Sequence, residues 1–413
     1  MVSARSTARR YSTAVADYSR TEAAEHAGVS VEDLNRFVEL RILQPGPGDR
    51  FTAGDVRRAG FVQSMKAAGI PLDDLGAAVS RAAISFDFLD APTYERFSAL
   101  SGETFQQLSD RTGVPLQLLS VMREATGSAP PSPDDRVRDG ELPIAAFIEV
   151  QLAAGFRPIS IERLLRVQGD SLRRIAETEA EWWRSDVIEP ALAAGRSPDE
   201  FSATELGTLV NIRAEESMKA LYQAHQTHAW TANIIASMEA RLAAAGLHSR
   251  LERPPAMCFL DITGYTSLTQ ERGDEAAAQL AAQLARLVQR TSVRYGGRPV
   301  KWLGDGVMFY FPDPGPGVVA ALDMVDGVTE AGLPPAHVGL HAGPVIFQEG
   351  DYYGQTVNVA SRIAEYARPG EVLVSQAVVD ASAGAGVSFR EIGPVELKGV
   401  AGAMRLHAAL RGG

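Results

Sequence analysis

Residues 257–263 read MCFLDIT, and residues 300–311 read VKWLGDGVMFYF. Each is a short apolar run of strand length that ends on, or folds about, an aspartate. Gly304-Asp305-Gly306 reads as a hairpin tip, which returns the chain beside the first run. Asp261 then stands at a strand end and Asp305 at a neighbouring tip. Two carboxylates placed this way can share a pair of divalent ions, because Mg²⁺ takes few carboxylates and leaves room for substrate oxygens. Acids at strand ends are more often plain solvated turn residues, so the surrounding sequence has to decide.

Working outward, residues 337–347 (HVGLHAGPVIF) and 371–375 (EVLVS) also read as strands, and residues 274–296 read as a helix packed against them. Upstream the character changes. Residues 18 to about 245 are rich in Ala, Leu, Arg and Glu at helical spacing. The boundary falls in LHSRLERPP (247–255), whose Pro254–Pro255 cannot continue a helix. The helical half contains a repeat. TEAAEHAGVSVEDLNRFVE returns as FQQLSDRTGVPLQLLSVMRE, with Gly28 and Gly113 in corresponding turns. The first copy resembles the helix-turn-helix and wing of the MerR family. Its DNA-reading positions are poorly suited to DNA: Glu32 and Asp33 open the second helix, and Leu116, Leu118 and Leu119 stand there in the second copy. Residues 18–80 hold seven basic and nine acidic groups, which argues against DNA as a partner and for a packing module.

The segment from Ser202-Ala-Thr-Glu205, a capping-box signature, to Gly246 reads as one long helix of roughly 65 Å, although Gly207 is a potential early break. Ala214, Met218, Leu221, His225, His228, Ala232, Ile235 and Leu242 form a diluted coiled-coil seam along it. If that seam packs, burial disfavours the charged form of the two histidines, and acid would loosen it.

The whole chain of 413 residues carries a net charge of −11, with 45% hydrophobic and 22% charged residues. That excludes a general binder of nucleic acid or anionic membrane. Cys258 is the single cysteine, so an intramolecular disulfide and a cysteine zinc site are excluded, and a reducing cytoplasm is expected. No apolar run approaches the ~20 residues of a membrane span. The first residues hold arginines without a following apolar core and read as a solvated tail, not a signal peptide.

Residues 254–410 resemble the catalytic domain of class III nucleotide cyclases. FLDITGYTSL (259–268) and KWLGDGVMFYF (301–311) are similar to the family's two metal-aspartate segments. VGLHAGPV (338–345) followed by DYYGQTVNVASRIAEYARPGEVLVS (351–375) is similar to its substrate segment, and VELKGV (395–400) to its C-terminal lysine strand. The resemblance implies an α+β, ferredoxin-like (βαββαβ) catalytic domain behind an all-α regulatory region. It implies that Asp261 and Asp305, helped by the Ile262 carbonyl, hold two Mg²⁺ or Mn²⁺ ions. Asn358 would orient the ribose, Arg362 would stabilise the transition state, and Lys398 would meet the terminal phosphates. Lys301 and Asp351 would read the base. A lysine donor and an aspartate acceptor complement adenine and oppose guanine, so ATP is the expected substrate. Lys301 and Asp305, four residues apart, are expected to face the same side of one strand. In this family the metal residues and the base and ribose residues meet from opposite chains, which implies a homodimer.

The expected organisation is a tail over 1–17, helix-turn-helix-like units over 18–83 and 84–170, a helical linker and transmission helix over 171–253, and the catalytic domain over 254–413. The layout resembles bacterial class III cyclases with a helical regulatory domain, some of them pH-responsive. The alternative is a transcription regulator whose cyclase-like domain only senses ATP.

Overall fold

The computed structural model describes residues 17–90, 100–196, 204–247, 254–264, 273–304 and 306–412. The chain divides into two compact units, 1–232 and 233–413.

The first unit is helical and its elements recur in one order. Helices α1 (Arg20–Ala27) and α2 (Val31–Glu39) are followed by α3 (Ala53–Ala67) and α4 (Leu72–Ser80). Helices α5 (Phe105–Thr112) and α6 (Leu116–Ala125) are followed by α7 (Leu142–Ala153) and α8 (Pro158–Trp183), then the short α9 (Glu189–Ala193). Strands β1 (Asp17–Tyr18) and β2 (Phe51–Thr52) pair in the first copy, and β3 (Leu100–Thr104) and β4 (Arg136–Arg138) in the second. Local chemistry explains the recurrence. Ser19 with Glu22, and Thr104 with Gln107, form capping boxes that start α1 and α5. Gly28 (φ 69°) and Gly113 (φ 71°) end those helices in the left-handed conformation that glycine adopts without a Cβ penalty. Each copy then closes on its own apolar core, around Leu34, Phe37 and Phe51 in one and Phe105, Leu119 and Ile148 in the other. The second core also buries an ion pair between Arg123 and Glu141, 2.6 Å apart. In the first copy Asp33 pairs with Lys66 on α3 at 2.6 Å, so this acid at the start of α2 braces the fold.

Helix α10 (Glu205–Ala244) is 40 residues long, about 60 Å at 1.5 Å per residue. Gly207 lies inside it and does not break it, since a single glycine costs only ~1 kcal/mol in a helix. Ser202, the expected cap, lies outside the described residues. From Asn211 to Ala244 no residue is buried, and His225 and His228 are exposed. The burial that a histidine switch requires is therefore not supplied within one chain.

The second unit is built on a seven-stranded mixed sheet. Its strands are β5 (Ala256–Ile262), β6 (Arg298–Leu303), β7 (Gly306–Phe311), β8 (Ala336–Ala342), β11 (Val372–Ser375), β12 (Val387–Glu396) and β13 (Ala403–Arg411). Strands β9 (Ile346–Gln348) and β10 (Asp351–Tyr353) form a separate two-stranded hairpin. The sheet order is β12-β13-β11-β8-β5-β7-β6, with β8 and β11 parallel and the other pairs antiparallel. Helices α11 (Asp274–Arg294), α12 (Pro314–Glu330), α13 (Gln355–Tyr366) and α14 (Gln376–Ala381) complete the unit.

The central strand β5 alternates. Cys258, Leu260 and Ile262 point into the core shared with Leu284, Val288 and Met324 of α11 and α12. Met257 and Phe259 serve the opposite face, with Met308, Tyr352 and Ala360. Strands covered on both faces read as continuous apolar runs, which is why this segment stands out in the sequence. Burial pushes the Cys258 thiol up, so it is an inert core residue. The run 337–347, read as one strand, is two. Gly343-Pro344 separates β8 from β9, and Pro344 has no N–H to continue a ladder. Gly339 on β8 lets α13 approach: a Cβ there would stand 2.1 Å from the Ala364 nitrogen. That approach fixes the helix carrying Asn358 and Arg362.

Candidate active site

Asp261 is the penultimate residue of β5, paired with Gly306 of β7 on one side and His337 of β8 on the other. One carboxylate oxygen accepts the Ile262 N–H at 3.1 Å, and the other lies 3.8 Å from His337 Nε2. The side chain is 47% exposed. His337 Nδ1 is 3.2 Å from the Thr263 hydroxyl, so the ring bridges the strand end to the turn after it. Ile262 buries its side chain in the core, and its backbone carbonyl is the only oxygen it can offer a cation.

Asp305 lies outside the described residues. Its neighbours locate the turn: Leu303 pairs with Gly306, and Gly304 has φ 70°. A Cβ on Gly306 would stand 3.3 Å from Asp261 Oδ1 and 3.1 Å from the Leu260 carbonyl. Gly306 thus lies close against the Asp261 carboxylate, and a side chain there would crowd that oxygen. Carboxylate and carbonyl oxygens are hard donors of the kind Mg²⁺ and Mn²⁺ take.

Lys301 on β6 and Asp351 at the start of β10 meet directly, Nζ to Oδ2 at 2.5 Å. The other Asp351 oxygen accepts the Tyr352 N–H at 2.8 Å, which fixes the carboxylate plane. Strand β6 is described up to Leu303, with Gly304 in a turn, and the expected shared face of Lys301 and Asp305 involves Asp305, which lies outside the described residues. Lys301 pairs with Met308, two residues from Gly306 along β7, which places it and Asp261 on strands flanking the same neighbour.

Asn358 and Arg362 lie one turn apart on α13, Asn358 exposed and Arg362 partly so. The Arg362 guanidinium rests on both oxygens of Glu365 at 2.6 Å. Lys398 is exposed in the turn between β12 and β13. The strand expected there ends at Glu396, because Lys398-Gly399 turns the chain, with Gly399 at φ 76°. His337 and the Arg298–Tyr352 bond are neighbours that the sequence did not reveal. Both depend on strand register.

Residues 251–409 match the adenylate and guanylate cyclase catalytic domain. This domain belongs to the class III nucleotide cyclases. The chain is 29% identical over 323 residues to a pH-sensitive adenylate cyclase of Mycobacterium tuberculosis, covering 74% of this chain and 78% of that protein. It is 26% identical over 279 residues to an adenylate cyclase of Streptomyces coelicolor, covering 66% and 70%. The crystal structure of the adenylyl cyclase CyaB from P. aeruginosa is 21% identical, with 39% of this chain and 95% of that one covered and a TM-score of 0.35. The 323-residue likeness is longer than the cyclase domain, so it extends into the helical half.

Within the cyclase domain the three groups of side chains have separate supports. The Asp261 end is set by β5, β7 and β8, the Lys301–Asp351 pair by β6 and the β9–β10 hairpin, and Asn358 with Arg362 by α13. No helix among the described residues is long and apolar enough to cross a membrane.

Proposed function

We propose that the protein is an adenylate cyclase that converts ATP to 3′,5′-cyclic AMP and pyrophosphate at sites shared within a homodimer. The observation that carries this reading is the Lys301–Asp351 pair, held at 2.5 Å in a domain of the cyclase family. Lysine carries three donors, so Nζ can keep its bond to Asp351 and still donate to adenine N1. The Asp351 carboxylate then accepts from the exocyclic amino group. Guanine presents a carbonyl and an N–H at those two places, which sets acceptor against acceptor and donor against donor.

Asp261, Asp305 and the Ile262 carbonyl would hold two Mg²⁺ or Mn²⁺ ions, which neutralise phosphate charge and lower the pKa of the ribose 3′-hydroxyl. Asn358 orients the ribose. The 3′-oxygen attacks the α-phosphorus in line, that O–P bond forms, and the bond to the bridging oxygen breaks as pyrophosphate leaves. Arg362 exchanges Glu365 for the α-phosphoryl oxygens, where its planar fork balances the developing charge. Lys398, on its exposed turn, reaches the terminal phosphates.

The homodimer reading is supported by what one chain leaves uncovered. Helix α10 exposes Leu221, Trp230, Ile234, Ile235 and Met238, and the cyclase domain exposes Trp302, Ile346 and Phe347 around the Lys301–Asp351 pair. The order β8-β5-β7-β6, all antiparallel, supports a ferredoxin-like βαββαβ core. The divisions at 18–83, 84–170, 171–253 and 254–413 follow as units of regulation and catalysis in a cytoplasmic protein. The helical units act as packing modules that control the cyclase domain, the first copy being MerR-like in its element order. The single cysteine and the acidic balance support the cytoplasmic, non-DNA reading.

Exchanging Lys301 for Glu and Asp351 for Cys tests the base readers. The ATP kcat/KM should fall and the ATP:GTP preference should drop by about 10- to 100-fold, the range expected when hydrogen bonds to the base edge are removed or opposed. An unchanged preference, measured from the cyclic products of both nucleotides, rejects these residues as base readers.

A further inference from the structure

The β9–β10 hairpin that carries Asp351 is not hydrogen-bonded into the seven-stranded sheet. Its place against β6 is set by side chains. Arg298, on β6, is central to that packing. Its guanidinium carbon lies 5.1 Å from the ring centroid of Tyr310 on β7, 5.7 Å from that of Tyr352 on β10 and 5.9 Å from that of Phe347 on β9. An Arg298 N–H also donates to the Tyr352 hydroxyl. Tyr352 in turn stacks on Tyr310, with centroids 4.5 Å apart and planes within 10°.

The register of β6 explains why Arg298 reaches the hairpin on the same side as Lys301. Arg298 pairs with Tyr310 and Lys301 with Met308, so three residues on β6 span two on β7. The extra residue is a bulge at Pro299–Val300, and it turns an odd spacing into a shared face. Two points of β6 therefore grip the hairpin: Lys301 bonds Asp351, and Arg298 clamps the adjacent Tyr352.

We infer that Arg298 is a positioning residue for base selection, holding Tyr352 and thereby the Asp351 carboxylate where the base edge arrives. This rests on the reading of Lys301 and Asp351 as base readers. The planar fork is what the position uses, because it lies against rings and bonds a hydroxyl at once. Without it Lys301 can still pair with Asp351, but the hairpin is free to shift, and small displacements of a positioning group carry large rate penalties. Because Arg298 does not touch the reacting phosphate, its loss should act on nucleotide binding and discrimination more than on turnover.

The test uses the full chain with Arg298→Met, which keeps an unbranched stem over the rings, and Tyr352→Phe, which keeps the stack and removes the hydroxyl. Asp351→Asn is measured beside them. Arg298→Met should raise the KM for ATP about tenfold, lower the ATP:GTP ratio of kcat/KM about tenfold and leave kcat within about threefold. Tyr352→Phe should move both quantities the same way by less. Combining Arg298→Met with Asp351→Asn should add little to the change in ratio, because both act through one carboxylate. If Asp351→Asn shifts the ratio and Arg298→Met only lowers thermal stability or kcat, Arg298 is mere structural support and the inference is overturned. If Asp351→Asn leaves the ratio unchanged, the base-reader assignment itself fails and this inference falls with it. Should Arg298→Met not fold, an unchanged KM and ratio in Tyr352→Phe overturns the inference alone.

Discussion

Replacing Asp261 by Asn is expected to lower cyclic AMP formation by at least about a thousandfold, and Asp305→Asn by a similar factor, because charge stabilisation by bound metal contributes several kcal/mol to the transition state. The substitution keeps the shape of the side chain and removes its charge. The fold should survive it. The Asp261 side chain is half exposed at the end of β5, and its strand is held by Cys258, Leu260 and Ile262 in the core. Substitutions at such positions usually change stability by no more than about 0.5 kcal/mol. Circular dichroism and melting temperature should therefore match the parent while activity is lost. Raising Mn²⁺ should recover part of the lost activity, since an amide oxygen is a weaker ligand and not an absent one. Near-parental turnover in either variant would remove the carboxylates from the mechanism.

The second large effect is a recovery. Asp261→Asn chains and Arg362→Ala chains should each be inactive, the first through metal binding and the second through loss of the guanidinium that leaves Glu365 for phosphate. Mixed after subunit exchange, they should regain up to about a quarter of parental activity. Half of randomly paired dimers are mixed, and in each of those one site carries both lesions and the other neither. The apolar residues exposed on α10 and around β6 and β9 are the surfaces such a dimer would cover. Subunit exchange demonstrated by differently tagged chains, without recovery, would place all catalytic residues of one site in one chain.

The parts of this molecule legible in the sequence are those fixed by short-range rules. Strands β5 and β7 show as apolar runs because both faces of the sheet are covered there, while β6, an edge strand with Trp302 and Leu303 exposed, shows through the Gly-Asp-Gly that separates it from β7 in the sequence. The repeat of the helical half shows because each copy ends its first helix on a left-handed glycine, Gly28 or Gly113. What the sequence conceals is register. The bulge at Pro299–Val300 puts Arg298 beside Lys301, and strict alternation would have separated them. His337 comes to Asp261 only through the antiparallel pairing of β8 with β5, across 76 residues of chain. The end of β6 at Leu303 and the placement of Lys398 on a turn follow from glycines at 304 and 399, whose positive φ the surrounding chain selects. For the long helix the diluted seam is not buried among the described residues, where His225 and His228 stand exposed.

The products formed by the purified full-length protein give the most direct test of the adenylate cyclase reading. Given ATP and Mg²⁺ or Mn²⁺, it should form cyclic AMP and pyrophosphate in equal amounts. The reaction should stop when the metal is chelated, and the kcat/KM for GTP should be well below that for ATP. Formation of ADP in place of cyclic AMP, no cyclic product from ATP with either metal, or a GTP kcat/KM equal to or above that for ATP would contradict it.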